Sequence, residues 1–281
     1  MVRSKSVLNM LMMNFIALAV VGVLWVLYGC SLAFGNDIGG GLLGASLLWF
    51  GWFGFNAGSA LSAGDLAGVA FTNTMTATAA AVLGWLVVEQ VRDGKPTTLG
   101  AASGAVAGLV AITPACGFVT PLGSVAIGLI AGAVCALAVA LKFKFGFDDS
   151  LDVVGVHLVG GLVGTLLIGF FGTTSVNALG ADGLFYGGGA SQLGKQAVAA
   201  FAVMAYSFIV TTILALALKY TIGFRVTTEA EAEGVDENEH AESAYDFSTL
   251  SGMGGLGASR PAVARPAKET APEPATAGKE S

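Results

Sequence analysis

The stretch DDSLDVVGVHLVGGLVGTLLIGFF, Asp148 to Phe171, decides the fold. From Leu151 to Phe171 it is almost wholly apolar, and about 20 such residues in a helix cross a hydrocarbon core of about 30 Å. It therefore reads as a transmembrane helix entered through a cluster of carboxylates. Working outward on the same criterion gives about seven spans in all, an all-α, polytopic membrane architecture. The others run approximately Val7 to Phe34, Leu42 to Leu61, Leu66 to Val88, Leu99 to Phe118, Leu122 to Leu141 and Gln196 to Leu218. Connections between them carry Gly, Pro, Asp, Thr and Lys. Thr113 and Pro114 fall inside a span, where a freed backbone carbonyl must be satisfied by protein or pore water.

Composition agrees with this reading. Hydrophobic residues make up 54% of the 281 and charged residues 11%, well below the roughly one-quarter charged usage of soluble domains. A water-soluble domain is excluded, and the 41 glycines suit closely approaching membrane helices. They follow no three-residue period, which excludes collagen. The net charge of -6 comes largely from an acidic run, Glu229 to Asp246. No basic stripe exists for nucleic acid to bind. Residues 1–226 form the membrane domain and 227–281 a polar tail, disordered after about residue 246 on composition. Cys30, Cys116 and Cys135 are widely spaced within apolar stretches. They form neither a disulfide framework nor a zinc site and read as packing residues. The run from Val7 to Phe34 is too long for a signal-peptide core of roughly 7 to 15 residues.

Lys and Arg in short loops favour the cytoplasm. Arg92 with Lys95, Lys142 with Lys144, and Lys219 with Arg225 agree with one another and place the C-terminus inside. Arg3 and Lys5 place the start of the first span inside as well, so it ends outside where the second must begin inside. The few residues between Phe34 and Leu42 cannot recross the core at about 3.3 to 3.6 Å per residue. Either Arg3 and Lys5 lie outside, or an odd number of spans is missing at that point.

His157 lies within the span, and an intramembrane ionisable group faces a bundle interior or a pathway by default. The alternative is a neutral imidazole bonded to a neighbouring helix. Asp152, near the cytoplasmic entrance of the same helix, reads as a buried cap accepting backbone N–H groups, and Asp148 and Asp149 as solvated loop charges. In WFGFNAGSA, Trp52 to Ala60, Phe55 and Ser59 stand four apart on one helical face. An aromatic face and a hydroxyl there suit a cation at a pore mouth. Trp49 and Trp52 read as interfacial anchors. No acid, second ligand or nucleophile stands at catalytic spacing from His157, so no enzyme, metal centre or cofactor is expected.

WVLYGCSLAFG (Trp25 to Gly35), WFGFNAGSA, GAASGAVAGLVAITPACGFV (Gly100 to Val119) and DDSLDVVGVHLVGG (Asp148 to Gly161) together resemble the ammonium transporter family, the Amt, Mep and Rh proteins. The resemblance runs from Val2 to about Tyr245 and implies an ammonium-transporter-like helix bundle. That family forms trimers in the cell membrane, each protomer having eleven helices around its own hydrophobic pore between inverted repeats. Carried onto this sequence, it implies that His157 is one of two pore histidines, Phe55 part of an aromatic gate and Ser59 part of an external ammonium site. Asp152 becomes a structural carboxylate near the inner vestibule. The chain looks like the family's second helix joined to its sixth through eleventh. The bundle is thus incomplete, lacking the first and third to fifth helices and, with them, the partner histidine. The resemblance implies ammonium or ammonia as substrate and a homotrimer or assembly with full-length protomers as the quaternary state. It also implies a PII-type regulator at the tail, Gly223 to Tyr245. The competing reading is a non-conducting fragment or regulatory membrane protein.

Overall fold

The computed structural model describes residues 38–223 and 225–240. The first span, with Cys30, and the end of the tail lie outside them. The chain divides into two compact units, Met1–Phe224 and Arg225–Ser281.

In the first unit, α1 (Ile38–Gly58), α2 (Asp65–Asp93), α3 (Thr98–Ile112) and α4 (Pro121–Ala138) precede a short α5 (Leu141–Phe145). A π-helical turn, Val154–Leu158, runs into α6 (Val159–Phe171), and α7 (Ser191–Thr221) follows a long loop. The described residues contain no strand, only one antiparallel bridge between Val119 and Gly172. Four helical segments are long and apolar enough to cross a membrane: Asp65–Asp93, Pro121–Phe145, Val154–Phe171 and Ser191–Thr221. An all-α membrane bundle is the observed architecture.

Small residues set the packing. The backbone of α4 at Gly128 and Gly132 lies directly against Ala77 and Ala81 of α2, where a β-carbon would collide with main chain. Lipid tails are as apolar as Leu, so such close van der Waals contact, rather than apolar burial, holds membrane helices together. Around this crossing Ile112, Val119, Ile127, Ala131 and Ile168 form the core. Helix α1 packs on α2 and α3, while α6 packs on α3, α4 and α7.

Element bounds depart from the expectation by five residues or more in three places, the first being the end of α2 at Asp93 rather than Val88. The span expected to reach Phe118 stops as a helix at Ile112. Pro114 has no N–H and its ring clashes with the carbonyl one turn back, so the helix cannot continue through it. In the non-helical segment that follows, backbone carbonyls are satisfied by protein: buried Asn73 donates Nδ2 to Cys116 O at 2.8 Å and to Val119 O at 2.7 Å. Helix α7 begins at Ser191 rather than Gln196, and in its added first turn Leu193 packs against the α-carbon face of Gly169. Cys116 and Cys135 are buried and free, as packing residues are.

The second unit carries α8 (Thr228–Glu233) and α9 (Val235–His240). Thr227 caps α8 by accepting the Ala230 N–H at 3.2 Å. Arg225 pairs with Glu231 at 2.6 Å, which holds that carboxyl below its usual range.

Candidate functional site

One face of the His157 span is fixed by packing. Gly155 and Val156 are buried with Gly160, Gly164 and Ile168; Gly155 lies against Val139 of the α4–α5 junction and Gly164 against Ala111 of α3. With that face held, the 3.6-residue period turns His157, Gly161 and Thr165 the other way. There they line a cavity of about 1070 Å³ between this span and α7, with Ser207, Thr211 and Thr212 on its far wall. His157 is thus on an open groove, in a π-helical turn, a geometry often found at functional sites.

The entrance is held by three charged groups. Asp149 accepts the N–H groups of Val153 and Val154 at 2.8 and 2.9 Å. The helix cap expected of Asp152 is therefore made by Asp149, which is no simple solvated charge. Asp152 has a left-handed backbone, φ 56°, and that bend directs its carboxylate to Lys142 Nζ at 2.8 Å. Lys142 also donates to the Asp149 carbonyl at 3.0 Å. Asp152 itself stands just before the helix, and its carbonyl accepts the Val156 N–H at 2.8 Å.

Phe55 and Ser59 stand together near the end of α1. Ser59 Oγ donates to the Phe55 carbonyl at 2.9 Å, and the Phe55 ring is exposed. The Trp52 ring meets Phe55 edge-on at 6.3 Å. Trp52 is not a free interfacial anchor: its indole N–H donates to Thr113 Oγ1 at 2.7 Å, tying α1 to α3. Asn56 Nδ2 donates to Thr74 Oγ1 of α2 at 2.9 Å. Phe55 on α1, with Ser59 just past its end, and His157 before α6 are carried by two helices that both pack on α3.

Sequence reasoning missed the polar residues that hold these elements. Asn73, Thr74, Thr78 and Glu89 are all buried on α2. The available signal was a carboxylate and an amide in or beside a span too apolar to tolerate them unpartnered. No group of three metal-ligating side chains occurs among the described residues.

Fold and site define a polytopic helical membrane protein with a histidine inside an apolar helical segment long enough to span. The model of the Ammonium Transporter Family matches residues 1–42 and 38–245, and the chain belongs to that family. It is 63% identical over 216 residues to an ammonium transporter of Mycobacterium tuberculosis, covering 75% of this chain and 45% of that one. With an ammonium transporter of Bacillus subtilis it shares 54% over 207 residues, 73% of this chain and 51% of that one. The crystal structure of Saccharomyces cerevisiae Mep2 superposes with a TM-score of 0.65 at 39% identity, over 69% of this chain and 44% of Mep2. The chain spans about half the length of the relatives it matches, in keeping with the short bundle expected from the sequence.

Proposed function

We propose that this chain serves ammonium or ammonia passage across the cell membrane, through a pathway on which Phe55, Ser59 and His157 lie. The observation that carries this is the match to ammonium transporters along nearly all of the membrane unit. At the mouth, Ser59 accepts a hydrogen bond from an ammonium N–H while the exposed Phe55 face attracts the cation. Beyond it, an apolar bore penalises hydrated alkali ions, and the His157 imidazole gives ammonia a polar partner in otherwise apolar surroundings. Asp152, paired with Lys142, holds the loop at the entrance of the His157 helix in place. Assembly is as a homotrimer or with full-length protomers, the C-terminus is cytoplasmic, and the tail offers a surface to a PII-type regulator.

A second reading, a non-conducting or regulatory fragment, is favoured by the open groove in front of His157. Complementation of a transporter-deficient cell at limiting ammonium and acidic pH separates the two. We expect no growth from this chain alone despite membrane accumulation, because a pore needs walls on all sides. Growth is expected on co-expression with a transport-impaired full-length protomer. Failure of both at normal abundance leaves the regulatory reading. A periplasm-dependent reporter fused after Thr228 should be silent, and a strong signal overturns the orientation.

A further inference from the structure

Two glycines of the His157 span meet the end of α4 at a spacing that an α-helix does not repeat. A β-carbon at Gly155 would lie 2.8 Å from the α-carbon of Val139 and 2.9 Å from its nitrogen, and one at Gly160 would lie 3.3 Å from the Cys135 sulfur. Five residues at about 100° each would set the two glycines about 140° apart in an α-helix. The π-helical turn Val154–Leu158 stands between them, and its wider ring narrows that angle by advancing less per residue. Cys135 and Val139 are themselves one turn apart, with the Val139 N–H donating to the Cys135 carbonyl at 3.0 Å. The last turn of α4 thus faces the one irregular turn of the His157 span.

That turn decides where the imidazole goes. His157 follows the side of Gly161 and Thr165 that lines the groove. Gly164, seven residues on, would stand only about 20° from His157 in an unbroken α-helix. Yet Gly164 is buried against Ala111 of α3, and an imidazole on the same line would press on α3. The wider turn opens the angle, so that His157 is exposed on the groove while Gly164 stays packed.

The turn is held from α4. Val159 N–H is shared between Val154 O and Val156 O, so neither carbonyl receives a full bond. The Cys135 thiol adds a donor to Val156 O, Sγ to O 3.9 Å, inside a buried cluster with Trp85, Ala107 and Ala136. A thiol is a weak donor, but no water competes for the oxygen there. We propose that the last turn of α4 aims His157: Gly155 seated on the Val139 main chain and the Cys135 thiol on Val156 O hold the π-helical turn, and the turn carries the imidazole off the packed face into the groove. Cys135 and Gly155 are then positioning residues. The inference rests on the reading of His157 as a pathway residue and adds what sets its direction.

The test reads the rate at which diethyl pyrocarbonate, small and uncharged, modifies His157 in the full chain purified in detergent, by peptide mass spectrometry with the denatured chain as reference. Cys135→Ala should slow the modification at least threefold, as the turn relaxes and the ring swings toward α3. Cys135→Ser keeps a donor of similar size and should stay within twofold of the parent. Gly155→Ala should be slower than either; if it does not accumulate, the Cys135 pair decides. A thiol that merely filled space would loosen the bundle on removal and speed the modification, so a faster rate in Cys135→Ala overturns the proposal. An unchanged rate in that variant, or Cys135→Ser as slow as Cys135→Ala, overturns it equally. These rates are read without transport, so failure of the pathway reading in complementation and failure of this inference are separate results.

Discussion

The buried Glu89 carboxylate accepts the backbone N–H of Thr97 at 2.8 Å, with the Thr97 hydroxyl at 3.0 Å. Trp85 Nε1 donates to the same carboxylate at 3.1 Å. One acidic residue at the end of α2 thereby begins α3, because the Thr97 side chain it fixes caps that helix through Gly100 N–H at 2.8 Å. A β-carbon at position 100 would collide with this carboxylate.

Glu89→Leu should therefore be strongly destabilising. It leaves the buried Trp85 indole without an acceptor, at about 1 to 3 kcal/mol, while the N–H and hydroxyl of Thr97, an exposed residue, exchange the carboxylate for water at smaller cost. Glu89→Gln keeps one acceptor oxygen and should lose less. Thermal stability in detergent, followed by size-exclusion chromatography, checks the order. Equal midpoints for Glu89→Leu and the parent would refute it.

Asn73→Leu should open the break after α3. The side chain is fully buried, and removing it strands the carbonyls of Cys116 and Val119 in apolar surroundings, again at about 1 to 3 kcal/mol each. Accessibility of Cys116 to a small maleimide should rise several-fold over the parent. Unchanged labelling with a normal yield would count against this role.

At the entrance of the His157 helix the two carboxylates should separate in their effects. Asp149→Ala removes the acceptor of two N–H groups and should cost about 0.5 to 2 kcal/mol, as loss of an N-cap does. Asp152→Asn loses only the partly exposed ion pair with Lys142 and tolerates the left-handed backbone, so its effect should be about 0 to 1 kcal/mol. Thermal midpoints of the two variants decide, and the reverse order would return the cap to Asp152.

The loop between α6 and α7 should loosen in acid. Asp182 accepts the Thr174 N–H at 2.7 Å and its hydroxyl at 3.1 Å, and chiefly that backbone bond holds its carboxyl below the usual carboxylate value. Because the folded value is the lower one, the stabilisation is full above the ordinary Asp value near 3.8 and is lost as pH falls through the folded value. Amide exchange at Thr174, corrected for the intrinsic pH dependence of exchange, should lose protection over that window in the parent. Asp182→Asn should show no such transition. Protection that stays constant in the parent through strong acid would rule out the clamp.

The sequence by itself determined the class of this protein. Runs such as Leu122 to Leu141 and Leu66 to Val88 are too long and too apolar to be anything but spanning helices, since backbone groups in lipid must bond internally. The sequence also supplied His157, Phe55 and Ser59 as the residues of the proposed pathway, the first because an imidazole within an apolar span is costly and the others from their helical spacing. Tertiary structure alone decided which polar groups hold the helices together. That Asp149 rather than Asp152 caps the His157 helix depends on a left-handed turn at Asp152 and on Lys142 arriving from α5. Likewise the work of Trp52, Asn73 and Glu89 lies in partners 61, 43 and 8 residues away. Helical periodicity assigns a residue to a face, but the partner that meets it is fixed only when glycine-lined helices close on one another.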